Sequence, residues 1–251
     1  VSTTPAPAPP GSSCSSPSAR SASAASATVS AAGVPASAAP SLTERRKAAT
    51  RMEIARAAAR LFATRGLRAT RAEDIARAAG IAPRTFYRYF ATKEEAVAPL
   101  YAAGARHWAE AVREAPAGLS LPQALEHAVR ATLTPGAGVP AVSWEWARTL
   151  IRLAEAGPAL RKVWAEVCHD AESELTEILA RRLAQGDDIV AMRLTASPRL
   201  RFAAATASAA VRVAVEVWAA GNAAPTSAEG PAALALGNLT VLRGFSWEDV
   251  R

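Results

Sequence analysis

Cysteine is nearly missing from this chain: Cys14 and Cys168 are the two in 251 residues, too few for the dense disulfide framework of a small secreted fold. Proline (17) and glycine (14) are too few for a fibrous protein. No apolar run reaches the roughly 18 residues that span a bilayer, so an integral membrane protein is not expected. There is no G-x-S-x-G, no phosphate-binding P-loop and no G-x-G-x-x-G; Gly136-Ala137-Gly138 lacks the strand and the third glycine of a dinucleotide site. The three histidines fall in separate segments and make no metal site. Cys168-His169-Asp170 has ligand chemistry, but consecutive helical residues point in different directions, so it reads as structural. No nucleophile is placed beside a base, so neither a catalytic residue, a cofactor nor a metal is expected. Strand-like alternation and internal repeats are also missing.

Half of the residues are apolar, enough for a real core in one large domain or two ordinary ones. The charge is unevenly spread. Residues 41–95 hold thirteen basic and six acidic side chains, an excess of +7 that equals the net charge of the whole chain. Such a concentration suits a module that meets a polyanion, because each phosphate neutralised releases a condensed counterion. A solvated, arginine-rich surface is the alternative reading of charge alone.

Residues 1–40 are Ala, Ser, Pro and Gly with one charge, Arg20, and no Leu, Ile or Phe. They cannot bury enough surface to offset their ordering entropy, so a disordered tail is expected. The tail lacks the basic opening and apolar stretch of a signal peptide, and Val1 suggests a processed or alternative start.

At Ser41 the pattern becomes helical. Ser41-Leu42-Thr43-Glu44 is a capping box, and Ile54, Ala58, Leu61 and Phe62 form one stripe of an amphipathic helix that Gly66 ends. Thr70-Arg71-Ala72-Glu73 is a second box and opens a short helix broken at Gly80. Pro83 then suits the first turn of a third helix through Phe90. Phe86 and Phe90 point inward together, leaving Arg84, Thr85, Tyr87, Arg88 and Tyr89 on the other sides. A helix, a Gly-containing turn of about four residues and a second short helix make the helix-turn-helix pattern, whose second helix enters the major groove. Thr92-Lys93-Glu94-Glu95 is expected to open helix four, running to about Glu114.

These residues carry a resemblance. Ile54-x3-Ala58-x2-Leu61-Phe62-x3-Gly66, then Thr70-x4-Ile75-Ala76-x2-Ala79-Gly80-Ile81, then Thr85-Phe86-Tyr87-Arg88-Tyr89-Phe90-x2-Lys93-Glu94 resemble the DNA-binding region of the TetR/AcrR family of regulators. The resemblance covers residues 45–97 and implies an all-α, cytoplasmic homodimer: three N-terminal helices for DNA and a larger C-terminal domain for ligand and dimerisation. By position it implies that Thr70 caps helix two and faces phosphate. Arg84, Thr85 and Tyr87 reach bases or backbone, and Tyr89 and Lys93 contact phosphate. Arg71 and Ala82 depart from the family, standing where a Thr and a Ser are common. Arg88 could touch only phosphate; Arg84 is the first choice for bidentate reading of guanine. Arg45, Arg46 and Lys47 precede helix one and form either a basic arm or a solvated charge run.

The remainder reads as helices over about 121–133, 141–156, 158–185, 198–220 and 231–242, with a loop at 134–140 and a turn at 186–188. The expected division is therefore a tail (1–40), a helix-turn-helix domain (41–92) and a helical ligand-binding and dimerisation domain (93–251). Phe202, Thr206, Val213 and Val217 share one side of an Ala-rich helix. In the resembled family the last two helices pair across a two-fold axis, implying a palindromic operator in double-stranded DNA. An ordinary intrachain bundle is the alternative. Trp108, Trp144, Trp164 and Trp218 offer flat apolar surface for a pocket or for the core. His107, His127, Glu145, Arg148 and Arg152 offer polar anchors, and an inward Arg would favour a carboxylate or phosphate, faintly an acyl-CoA-like inducer. The expected function is a ligand-responsive repressor of transcription. A helical small-molecule-binding protein or enzyme with an incidental basic face, and a non-specific DNA-packaging protein, are the competing readings.

Overall fold

The computed structural model describes residues 41–136 and 141–247, so the tail at 1–40 and residues 137–140 of the expected loop lie outside the described residues. Ten α-helices and two short 3-10 segments are present among them, with no strand.

Helix α1 spans Leu42–Arg65. Ser41 is its N-cap, its hydroxyl accepting the Glu44 N–H at 3.2 Å. The stripe of Ile54, Ala58 and Phe62 is buried. Gly66 follows with a positive φ of 82° but an extended ψ of 157°, so it departs from a left-handed helical cap. Arg45, Arg46 and Lys47 are exposed within the first turns of α1, not on an arm before it. The reason is the cap, which starts the helix ahead of them.

Helix α2 spans Ala72–Ala78 and α3 spans Pro83–Tyr89. The box that opens α2 sits one residue later than the sequence suggests: Arg71 is the N-cap, and its N–H donates to the Asp74 carboxylate at 3.2 Å. The turn between the helices is a Schellman motif. Ile81 N–H donates to Ala76 C=O (2.9 Å) and Gly80 N–H to Arg77 C=O (3.1 Å). The φ of +69° at Gly80 is what permits it.

Thr92 accepts the Glu95 N–H at 3.2 Å, yet the turn it opens is the 3-10 segment Glu95–Val97, and α4 begins only at Ala98, ending at Glu114. Pro99 has no N–H to return to Glu95, so the α ladder cannot run through. Helices α5 (Leu121–Leu133), α6 (Ala141–Glu155), α7 (Pro158–Ala184) and α9 (Pro198–Ala220) lie where periodicity places them. Helix α8 (Asp188–Thr195) is an addition inside the expected turn region; the Asp187 carboxylate caps it, accepting from Ile189 and Val190. Helix α10 (Pro231–Leu239) passes into a 3-10 segment, Thr240–Gly244.

Two apolar cores result. One joins Ile54, Phe62, Ile75, Phe86 and Val97 to Tyr101, Leu150, Leu160 and Val163, so packing runs from α1–α3 into α4, α6 and α7 across position 92. The other joins Val112, Leu125, Leu175, Leu179, Leu200 and Leu239. By length and composition α9 could cross a membrane, but half of its most apolar 18-residue window is buried by the other helices, as a core helix requires.

Phe86 is fully buried and fixes α3 to the first core. Phe86→Ala is expected to lower the unfolding free energy by about 3–5 kcal/mol, read as a reduced urea midpoint.

Candidate functional site: the helix-turn-helix head and the aromatic cavity

Helix α3 presents the pattern its sequence prescribes. Phe86 points inward; Arg84, Tyr87 and Arg88 are exposed; Thr85 and Tyr89 are half-buried. The Tyr87 hydroxyl lies 3.4 Å from the Glu73 carboxylate on α2. Arg71 is exposed beside them at the start of α2. The Asp74 carboxyl is held below its usual range by the Arg71 N–H it accepts. Ala82 caps α3 with no side-chain hydrogen bond, so the departure at that position leaves helix N–H groups without a hydroxyl partner.

Two expected phosphate contacts are placed otherwise. Thr70 is wholly buried, and its hydroxyl donates to Gly66 C=O at 2.9 Å and lies 3.4 Å from Leu61 C=O. It fastens the end of α1 and neither caps α2 nor faces outward. The Lys93 ammonium donates to Leu67 C=O (2.7 Å) and Thr70 C=O (2.8 Å), turned onto the α1–α2 loop. Backbone carbonyls past a helix end are strong acceptors for a cation, which is why the ammonium settles there. Arg51, counted in the sequence only as charge, does the same for α3. It donates to Tyr89 C=O at 2.9 Å and lies over the Phe90 ring, 4.5 Å from its centroid.

Helices α4, α5, α6, α7 and α9 enclose a cavity of about 290 Å³. Trp108, Trp144 and Trp164 line it as the sequence suggests, together with Tyr101, Trp218 and aliphatic side chains. Tyr101 and Trp164 meet edge to face at 5.1 Å, and Trp144 and Trp218 at 5.7 Å. Arg148 and Arg152 do not reach it. Arg148 is buried behind the wall, donating to Ala223 C=O and lying over the Trp218 ring, 4.4 Å from its centroid. Arg152 donates to Gly221 C=O at 2.8 Å and to Ala219 C=O. Both therefore hold the end of α9, and neither supplies a carboxylate anchor. His127 and Glu145 are exposed outside the lining, whereas His107 is on it. The lining guanidinium that sequence reasoning missed is Arg212, paired with Glu216 at 3.1 Å; Glu216 also accepts the Trp164 indole N–H at 2.6 Å. Its i, i+4 pairing was readable on α9, but the facing Trp164 lies 52 residues away.

Burial pushes the Cys168 thiol up to about 12, so it is not a ready thiolate. Among the described residues no group of three or more His, Cys, Asp or Glu side chains is placed to hold a metal ion.

Lys93→Met removes the ammonium from two carbonyls that nothing else in the loop replaces as a cation. Urea unfolding of this variant is expected to show a loss of about 1–3 kcal/mol.

Residues 54–98 match the family of bacterial regulatory proteins named for tetR. The chain is 32% identical over 181 residues to the HTH-type transcriptional regulator TcmR of Streptomyces glaucescens, covering 71% of this chain and 77% of that protein. Among solved structures, a TetR-family transcriptional regulator from Rhodococcus sp. is 22% identical with a TM-score of 0.49, covering 77% of this chain and 98% of the other. Thermus thermophilus FadR, a TetR-family repressor solved with lauroyl-CoA, is 24% identical with a TM-score of 0.47, covering 77% and 93%. Extended identity with TcmR, a family match across the helix-turn-helix and the exposed cationic face of α3 agree: the chain belongs to the tetR family of DNA-binding transcriptional regulators.

Proposed function

We propose that this regulator is a ligand-responsive repressor, working in the cytoplasm as a homodimer on a two-fold operator, with no catalytic step of its own. Residues 41–92 serve as the reading head and 93–251 as the ligand and dimerisation part. Arg84, Thr85 and Tyr87 face the bases; Arg71, Arg88 and Tyr89 hold the backbone. Lys93 and Thr70 act indirectly, by fixing the loop that carries α2.

The observation that carries the ligand response is the shared wall between cavity and head. Helix α6 lines the cavity through Trp144, Ala147, Leu150 and Ile151. The buried Tyr101 hydroxyl of α4 donates to Leu150 C=O at 2.9 Å, joining two cavity helices. The far end of α6 reaches the head: a Cβ on Gly157 would stand 3.7 Å from Leu67, the residue whose carbonyl holds Lys93. A ligand that shifts α6 thus acts on the segment that positions α2 and α3. An acyl-CoA-like inducer would place its chain in this cavity and its polar part outside.

The homodimer reading is supported by an apolar face left open on the bundle. Phe202, Val213 and Val217 on α9 and Ile189 and Met192 on α8 are exposed large hydrophobics. The three α9 residues recur on one face of that helix.

Fluorescence anisotropy with the DNA upstream of the chain's own gene tests the reading. Tight binding is expected to require a site of two-fold symmetry and to weaken steeply with salt. Arg84→Ala is expected to lose about 1–3 kcal/mol of preference for that site with its urea midpoint unchanged. Equal affinity of wild type for unrelated DNA would overturn sequence-specific regulation. Val217→Glu is expected to shift sedimentation towards a monomer and to lose the two-fold site together with it.

A further inference from the structure

Four tryptophans line the cavity, and they differ in one respect. The indole N–H groups of Trp164 and Trp218 are engaged, by Glu216 at 2.6 Å and by Ala223 C=O at 3.1 Å. Those of Trp108 and Trp144 have no acceptor among the described residues, although both side chains are at least nine-tenths buried. The Ser208 hydroxyl on the same lining is also buried and unpartnered. Buried polar groups in native proteins are hydrogen-bonded with few exceptions, because a donor cut off from both water and protein is costly. Three such exceptions around one cavity mark acceptors that the protein does not itself provide.

Charge and shape narrow the ligand further. Arg212, the guanidinium on the lining, is already neutralised by Glu216. Arg148 and Arg152 are bound to the end of α9. No lining cation among the described residues is thus left to seat an anion. Two edge-to-face aromatic pairs wall the space, an arrangement that favours a flat ring system. At about 290 Å³ the cavity stands at the small end of the ~300–1,000 Å³ range of ligand pockets.

We infer that the effector is an uncharged, flat, fused-ring aromatic whose carbonyl or phenolic oxygens accept from Trp108, Trp144 and Ser208. This rests on reading the cavity as the effector site. It differs from an aliphatic acyl chain, which would leave all three groups unpartnered.

The test is calorimetric titration of the full chain with three probes: 1,8-dihydroxyanthraquinone, anthracene and lauric acid. The oxygenated ring is expected to bind at least about tenfold more tightly than anthracene, and lauric acid more weakly still. Trp108→Phe and Trp144→Phe keep a flat ring but lose the donor. Each is expected to weaken the oxygenated ring about tenfold, roughly 1.4 kcal/mol, and to leave anthracene unchanged. Ser208→Ala, the least disruptive change, is expected to act in the same direction without lowering the melting temperature of the free protein, since it deletes an unpartnered hydroxyl. Equal binding of the two rings, or indifference to all three substitutions, overturns the inference. Lauric acid binding best, with release of operator DNA, also overturns it but leaves the cavity as the effector site. Failure of every probe to bind or to release DNA brings down both.

Discussion

The recurring interaction in this protein is a cation set against the carbonyls at the end of a helix. The last carbonyls of a helix have no partner within it and carry the negative end of its dipole. Arg51 takes up the end of α3, Lys93 the loop after α1, and Arg148 and Arg152 the end of α9. Arg182 completes the set, donating to Ala115 C=O at 2.7 Å and Pro116 C=O at 2.9 Å after α4. Each clamp joins segments distant in sequence, so the bundle is fastened at its corners as well as through its apolar cores.

This division of labour sorts the cations. Those on helix ends are shielded and structural, whereas Arg84 and Arg88 on α3, Arg71 before α2 and the Arg45-Arg46-Lys47 run on α1 stay exposed. The run on α1 sits near a helix N-terminus, where the dipole disfavours positive charge. Such a placement weakens the helix slightly and is repaid only by an anion outside it. The charge excess of the N-terminal segment is therefore a surface property.

The cavity is tied into the same scheme. Trp144 and Trp218 pack edge to face, Arg148 lies over Trp218, and that arginine holds the segment after α9. From the opposite wall, Tyr101 fastens α4 to α6, and α6 leads to Gly157 beside Leu67. The side chains that shape the cavity are thus contiguous with those that hold the head, and the apolar core crosses position 92 without a break. No flexible joint separates sensing from reading within that core.

Local chemistry was enough to locate most helices: Ser41, Ser120 and Pro83 mark starts, and the spacing of Ile54, Ala58 and Phe62 gives the buried face of α1. The inward Phe86 between outward Arg84 and Tyr87 was equally legible, because three- and four-residue spacing fixes which side chains share a face. So were three of the tryptophans on the cavity wall. The roles of Thr70, Lys93, Arg148 and Arg152 were not, nor was α8, whose eight residues are too few to show a period. A basic side chain looks the same in a sequence whether it meets a phosphate, a ligand or a carbonyl. For Arg148 the partner lies 75 residues along the chain and for Lys93 it lies 26 and 23 residues back. Only folding brings those carbonyls within reach, and only folding leaves two indoles and a serine hydroxyl facing no acceptor.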